Sequence, residues 1–214
     1  MSRTRKAAVT AAFSYAQFAM AIVPGVILVP LTLTSLGART YGLWLAVGEL
    51  LTYVALVDPG IVGVLPWMVA EADGAADRRA LRHLVSNGFA AGLLAGAAYF
   101  AVAAAAWTVL PGALGWTLAD RAELGPPLAL LVAVTAITYP LRVFRAALIG
   151  MQDAAFAGTL AIVEVAVDAA IVAVMLIGGY QVWALVWAAV ISSTLVAFVA
   201  LIRVATLAPD LMRQ

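Results

Sequence analysis

From Ala7 to Ala38 the chain runs 32 residues without a charge, and a helix of that length with no charged face cannot present a surface to water. About 20 apolar residues at ~1.5 Å rise each cross a hydrocarbon layer ~30 Å thick. A signal-peptide core is only about 7 to 15 residues long, and this run of 32 ends without a clean small-x-small cleavage site, so it reads as a retained first span. Composition extends the conclusion to the whole chain. With 214 residues, 65% hydrophobic and 11% charged, and a mean hydropathy of +1.07, there are too few charges to cover a water-facing surface. The chain is an all-α, polytopic integral membrane protein.

Six spans fit, near residues 10–36, 41–70, 84–110, 126–149, 155–177 and 181–203. Pro24-Gly25 and Pro30 predict a kink in the first. Gly178-Gly179-Tyr180-Gln181 between the last two is a turn signal that makes them a helical hairpin. Five spans is the alternative, with the second stretch re-entrant at Asp58. Loop charges favour six. With the amino terminus inside, Arg3, Arg5, Lys6, Arg78, Arg79, Arg82, Arg142, Arg145, Arg203 and Arg213 fall on or towards the cytoplasm, and Arg39 and Arg121 fall outside. Ten against two is a positive-inside bias that supports an even number of spans with both termini in the cytoplasm. Tyr41, Trp44, Trp107, Trp116, Tyr180 and Trp183 gather near the expected outer ends, where amphipathic rings favour the interface.

Leu36 to Ala72 organises the rest. A Gly-Ala-Arg-Thr turn opens it, an apolar helix runs through Tyr41, Trp44 and Val57, Asp58-Pro59-Gly60 breaks it, and it resumes to Val69. Proline removes a backbone donor and glycine loosens the helix, so the carbonyls left over need neighbouring helices or a wet cavity. An acid beside such a break points to a transport pathway.

Leu36-Gly37, Tyr41-Gly42-Leu43-Trp44, Val57-Asp58-Pro59-Gly60 and Val69-Ala70-Glu71 together resemble the first third of bacterial polysaccharide-export flippases. These belong to the MATE-like superfamily of multidrug, oligosaccharidyl-lipid and polysaccharide carriers. The family pattern reads roughly L-G, Y-G-x-W, L-D-x-G and V-A-E; Val57 and Pro59 depart from it. The resemblance continues weakly from Pro140 to Gln152. It implies one lobe of a two-lobe transporter over residues 1–214, in the bacterial cytoplasmic (inner) membrane. It also implies a polyprenyl-diphosphate-linked sugar as substrate, and as partner a second lobe or a second copy of the chain. Of these two, a chain that continues into a divergent second lobe is the favoured expectation.

Four acids lie within expected spans: Glu49, Asp58, Glu164 and Asp168. An ionised side chain at mid-bilayer costs at least ~2.5 to 3.5 kcal/mol, so such residues face a cavity or a partner. Glu164 and Asp168, four apart, share a helix face ~15 to 21 Å along the fifth span, where they hold a coupling ion or proton or hydrogen-bond to neighbouring helices. Asp58 either gates or caps the restarted helix. Glu49 carries the weakest signal. Arg142 and Arg145 share a face after Tyr139-Pro140 and are candidates for gripping a phosphate bidentately; ordinary snorkelling is the alternative. Gly92, Gly96 and Ala97 read as close helix packing.

Several classes are set aside. There is no cysteine for a disulfide or thiolate, and no phosphate-cradling glycine loop for ATP hydrolysis. His83 has no second ligand at metal spacing. Asp58 and Asp168 lack the Tyr-Asp and Gly-x-Gly-Asp flanks that resemblance to intramembrane aspartyl proteases requires. No enzyme activity, cofactor or nucleic-acid partner is expected. Besides lipid-linked oligosaccharide flipping, the alternatives are a cation-coupled multidrug or small-metabolite exporter and a non-transporting membrane scaffold.

Overall fold

The computed structural model describes residues 3–54 and 61–209, with side chains over 25–54 and over 63–209 apart from 154. Every described element is helical: α1 (Arg3–Val54), α2 (Ile61–Gly74), α3 (Arg78–Ala113), α4 (Leu118–Thr138), a 3-10 turn (Tyr139–Leu141), α5 (Arg142–Gly150), α6 (Ala154–Ile177) and α7 (Val182–Leu207). Five stretches among the described residues are long and apolar enough to cross a membrane: Gly25–Val54, Arg78–Ala113, Leu118–Gly150, Ala155–Ile177 and Val182–Leu207. The protein has the build of a multi-pass membrane protein.

The first of these stretches is not one straight rod. Gly37 stands at φ 78°, ψ 159°, the single non-helical residue within α1, and a positive φ there needs glycine. The neighbours change order across it. Leu28, Leu31 and Leu36 lie against Val172, Leu176 and Ala184, near the α6–α7 turn. Leu43 and Trp44 join Trp116 and Val182 at the same end. Leu51 and Val54 then reach Tyr99 and Tyr139, deeper in the bundle. The chain therefore climbs to Gly37 and doubles back. Helical backbone continues through Pro24 and Pro30, where a kink was expected. The described part of the expected span 41–70 ends at Val54 and resumes at Ile61; the intervening Asp58-Pro59-Gly60 lies outside the described residues.

Two ends can be told apart by chemistry. At the aromatic end, Trp107 and Trp116 meet edge to face with centroids 5.5 Å apart, alongside Trp44 and Val182. Residues 111–125, between the third and fourth expected spans, are mostly helical, because α3 continues to Ala113 and α4 begins at Leu118. Thr117 accepts from the Asp120 amide while Asp120 accepts from the Thr117 amide, a capping box that starts α4 nine residues before Pro127. Arg39, two residues past the α1 reversal, clamps the same carboxylate through Nη2 at 2.7 Å and Nε at 3.2 Å, and donates to the Gly115 carbonyl. Asp120 thus serves cap and clamp together. Asp120→Ala should lower the melting temperature of the detergent-solubilised protein more than Arg39→Ala does; equal shifts would show that the cap contributes nothing.

At the opposite, basic end, Asp77 caps α3 by accepting from the Arg79 and Ala80 amides. Arg203 of α7 ties Asp153 at 2.9 Å while its guanidinium lies over the Phe156 ring. Between the ends, three glycines one turn apart let α3 approach α4, the 3-10 turn and α5. A Cβ on Gly88 would meet Val143, on Gly92 the Pro140 Cα at 2.6 Å, and on Gly96 the Ala136 carbonyl at 2.5 Å. Gly92 and Gly96 hold the close packing expected of them, whereas Ala97 lies on the exposed face.

Candidate functional site

α4 does not continue straight into α5. Pro140 has no N–H to give the helix ladder, and Tyr139–Leu141 tighten into a 3-10 turn before Arg142 opens α5. The bend leaves a cleft of about 540 Å³ among α2, α4, α5, α6 and α7. Its walls include Pro66, Thr135, Thr138, Val196 and Ala197, and its charged groups are Arg142, Arg145 and Glu164. Two of the expected substrate-gripping arginines and one of the expected coupling acids therefore share one cavity.

Arg145 Nη1 donates to Glu164 Oε2 at 2.8 Å. Helix geometry explains the meeting. Arg145 lies five residues, ~7.5 Å, before the end of α5 at Gly150, and Glu164 lies ten residues, ~15 Å, after the start of α6. Side chains lean towards the N-terminus of their own helix. In this hairpin Arg145 leans away from the turn and Glu164 leans back towards it, so the two converge.

Arg142 is held differently. Its Cζ sits 4.3 Å from the centroid of the Tyr139 ring, a cation–π contact that fixes the guanidinium without neutralising it. Among the described residues it makes no ion pair. Two of the cleft hydroxyls are spoken for as donors: Thr138 donates to the Val134 carbonyl and Ser193 to that of Ala189. They offer oxygen lone pairs to a ligand, while the arginines offer N–H groups.

The other candidates are dispersed. Asp168, one turn beyond Glu164, does not line the cleft; the half-buried carboxylate accepts from Ser192 Oγ at 3.3 Å. The two acids share a helix face as the spacing requires but have separate partners. Glu49 is exposed on α1 and has no ion pair among the described residues. Asp58 lies outside the described residues. No group of three or more His, Asp or Glu able to hold a metal occurs among the described residues.

Three features escaped the sequence reading: the Arg145–Glu164 pair, the Tyr139 platform beneath Arg142, and the Arg39–Asp120 clamp. The last had a local signal, since Thr117-x-x-Asp120 is a capping-box pattern. Tyr139 and Arg142 are three residues apart, a spacing that puts them on one face of a helical turn, whereas Arg145 and Glu164 join separate helices, and spacing in sequence does not encode that pair. Comparison with family models, curated proteins and solved structures finds no match to this chain.

Proposed function

We propose that this chain is the amino-terminal lobe of a carrier that moves a lipid-linked oligosaccharide across the bacterial cytoplasmic membrane, with the cleft as its diphosphate site. The observation that carries the reading is Arg142: a guanidinium pinned on Tyr139, with no ion pair among the described residues, in a cleft between membrane-length apolar helices. Among the described residues, two arginines and one glutamate line the cleft, one positive charge in excess. Such a site favours an anion over the organic cation that a multidrug exporter would carry, because Glu164 is already paired with Arg145. The polyprenyl-linked sugar comes from the resemblance of the Leu36–Glu71 motifs to polysaccharide flippases.

In this reading the chain crosses six times. The reversal at Gly37 divides Arg3–Val54 into two crossings, and α2 completes the second beyond the Asp58-Pro59-Gly60 break. The basic end then faces the cytoplasm with both termini. A second lobe or a second copy covers α1 after the reversal. Ala38, Gly42, Leu45, Glu49 and Thr52 recur there at spacings of four and three, all exposed. Small residues and an acid suit a helix seam, whereas lipid-facing α1 residues before Gly37 are large and apolar, Val26 and Ile27 among them.

Binding tests the site directly. In membranes holding the protein, a polyprenyl-diphosphate sugar should bind, and Arg142→Gln should weaken it about tenfold, the scale of one hydrogen bond to a charged group. Arg142→Lys should fall between, keeping charge but losing the planar fork. Unchanged affinity in Arg142→Gln, or tighter binding of an organic cation than of the diphosphate lipid, would overturn the reading.

A further inference from the structure

A second cavity lies far from the cleft, at the aromatic end, between α3 and α4. It encloses about 430 Å³ and is lined by Trp107, Thr108, Pro111, Arg121, Gly125 and Ala129 among others. Arg121 is the cation at its mouth. Its neighbours in sequence leave it without an acid: Asp120 is taken by Arg39 and Thr117, and Glu123, two residues on, projects from another side of the helix. Among the described residues Arg121 makes no ion pair.

The polarity of the groove changes with depth. From Arg121 to Ala129 is eight residues of α4, ~12 Å, whereas each headgroup layer is only about 5 to 7 Å thick. A groove whose cationic mouth sits at headgroup level therefore carries its Trp107–Ala129 floor into the hydrocarbon. Leu118, one turn before Arg121 on the same face, is exposed as well. Thr108 already donates its hydroxyl hydrogen to the Ala105 carbonyl, so its oxygen is left as an acceptor.

We propose that this groove is a binding site for one anionic phospholipid of the leaflet on the aromatic side, with the phosphate on Arg121 and an acyl chain along Trp107 and Ala129. A soluble phosphate would satisfy Arg121 but leave the apolar floor empty. A zwitterionic lipid would fill the floor but bring its own cation to the guanidinium. The site depends on the chain spanning a membrane and is independent of the carrier reading.

The test uses the full protein in mixed micelles and lipids with dibrominated acyl chains, which quench nearby indoles. The signal assigned to Trp107 is the quenching that Trp107→Phe abolishes. Brominated phosphatidylglycerol should quench it at about fivefold lower mole fraction than brominated phosphatidylcholine, the scale of one basic residue at an anionic surface. Arg121→Gln should erase the difference and Arg121→Lys should keep most of it. Arg79→Gln, at the other end of α3, should leave it intact. Preference unchanged in Arg121→Gln, or lost equally in Arg79→Gln, would overturn the site. Complete displacement by glycerol 3-phosphate would also overturn it, assigning the cation to a soluble phosphate instead.

Discussion

Glu164→Gln should tighten binding of a diphosphate lipid, and Arg145→Gln should weaken it. The two residues form one ion pair, so a model in which both merely hold the helices together expects both changes to harm binding. Charge counting expects opposite signs. Among the described residues, removing Glu164 leaves Arg142 and Arg145 both without an acid, whereas removing Arg145 leaves Glu164 to cancel Arg142 across the same cleft. One unit charge ~8 Å from a phosphate at an effective dielectric of ~20 is worth ~2 kcal/mol, more than tenfold in affinity. Titration of the two variants with a diphosphate lipid reads the signs. If both weaken it alike, the cleft is not an anion site.

The same pair makes a prediction for stability that does not depend on substrate. Either single change strands a charge among apolar helices, at a cost of about 1 to 3 kcal/mol once partial access to the cleft is allowed for. Arg145→Gln with Glu164→Gln strands none. The double variant should therefore unfold at a higher temperature than either single one, giving a coupling term in a double-mutant cycle. Additive losses would mean that water in the cleft already screens both groups.

How far sequence reached can be judged from these residues. Apolar run lengths marked four membrane-length stretches, because crossing a bilayer demands length and little else, whereas the fifth, Gly25–Val54, overlaps two of the six expected spans. Gly37 and Gly178-Gly179 marked reversals, and both Gly37 and Gly179 adopt the positive φ that explains their use. The span expected to start near residue 126 begins earlier: the Thr117–Asp120 cap opens α4 at Leu118, and Pro126 and Pro127 lie inside the helix. Glu164 could be singled out by the expense of charge in a membrane, and the two arginines by their shared face after Tyr139-Pro140. That Arg145 and Glu164 pair, while Asp168 turns to Ser192, could not. Which face of α6 meets which neighbour depends on the rotation of whole helices, and that is set by packing contacts such as those of the α3 glycines.

Those glycines give the largest expected effect on the fold. Gly92→Val and Gly96→Val should each unfold the protein or lower its stability by about 3 kcal/mol or more, beyond the usual 1 to 3 kcal/mol of overpacking. A Cβ at either position would run into backbone, the Pro140 Cα or the Ala136 carbonyl, and backbone cannot rotate aside. At Gly88 the obstacle is a Val143 methyl at 2.7 Å, which a rotamer change relieves in part, so Gly88→Ala should cost less than Gly92→Ala. Ala97→Val, on the exposed face of the same helix, should shift stability by no more than about 0.5 kcal/mol. Thermal unfolding of the five variants in one detergent gives the order, and a Gly92→Ala protein as stable as wild type would show that α3 does not pack on the 3-10 turn. Gly92 also reaches the cleft through that contact. Pro140 lies between Tyr139 and the residue before Arg142, so a methyl that displaces Pro140 moves the cation–π platform with it. Gly92→Ala protein that stays folded should therefore bind the diphosphate lipid as weakly as Arg142→Gln does, although Gly92 itself touches no ligand.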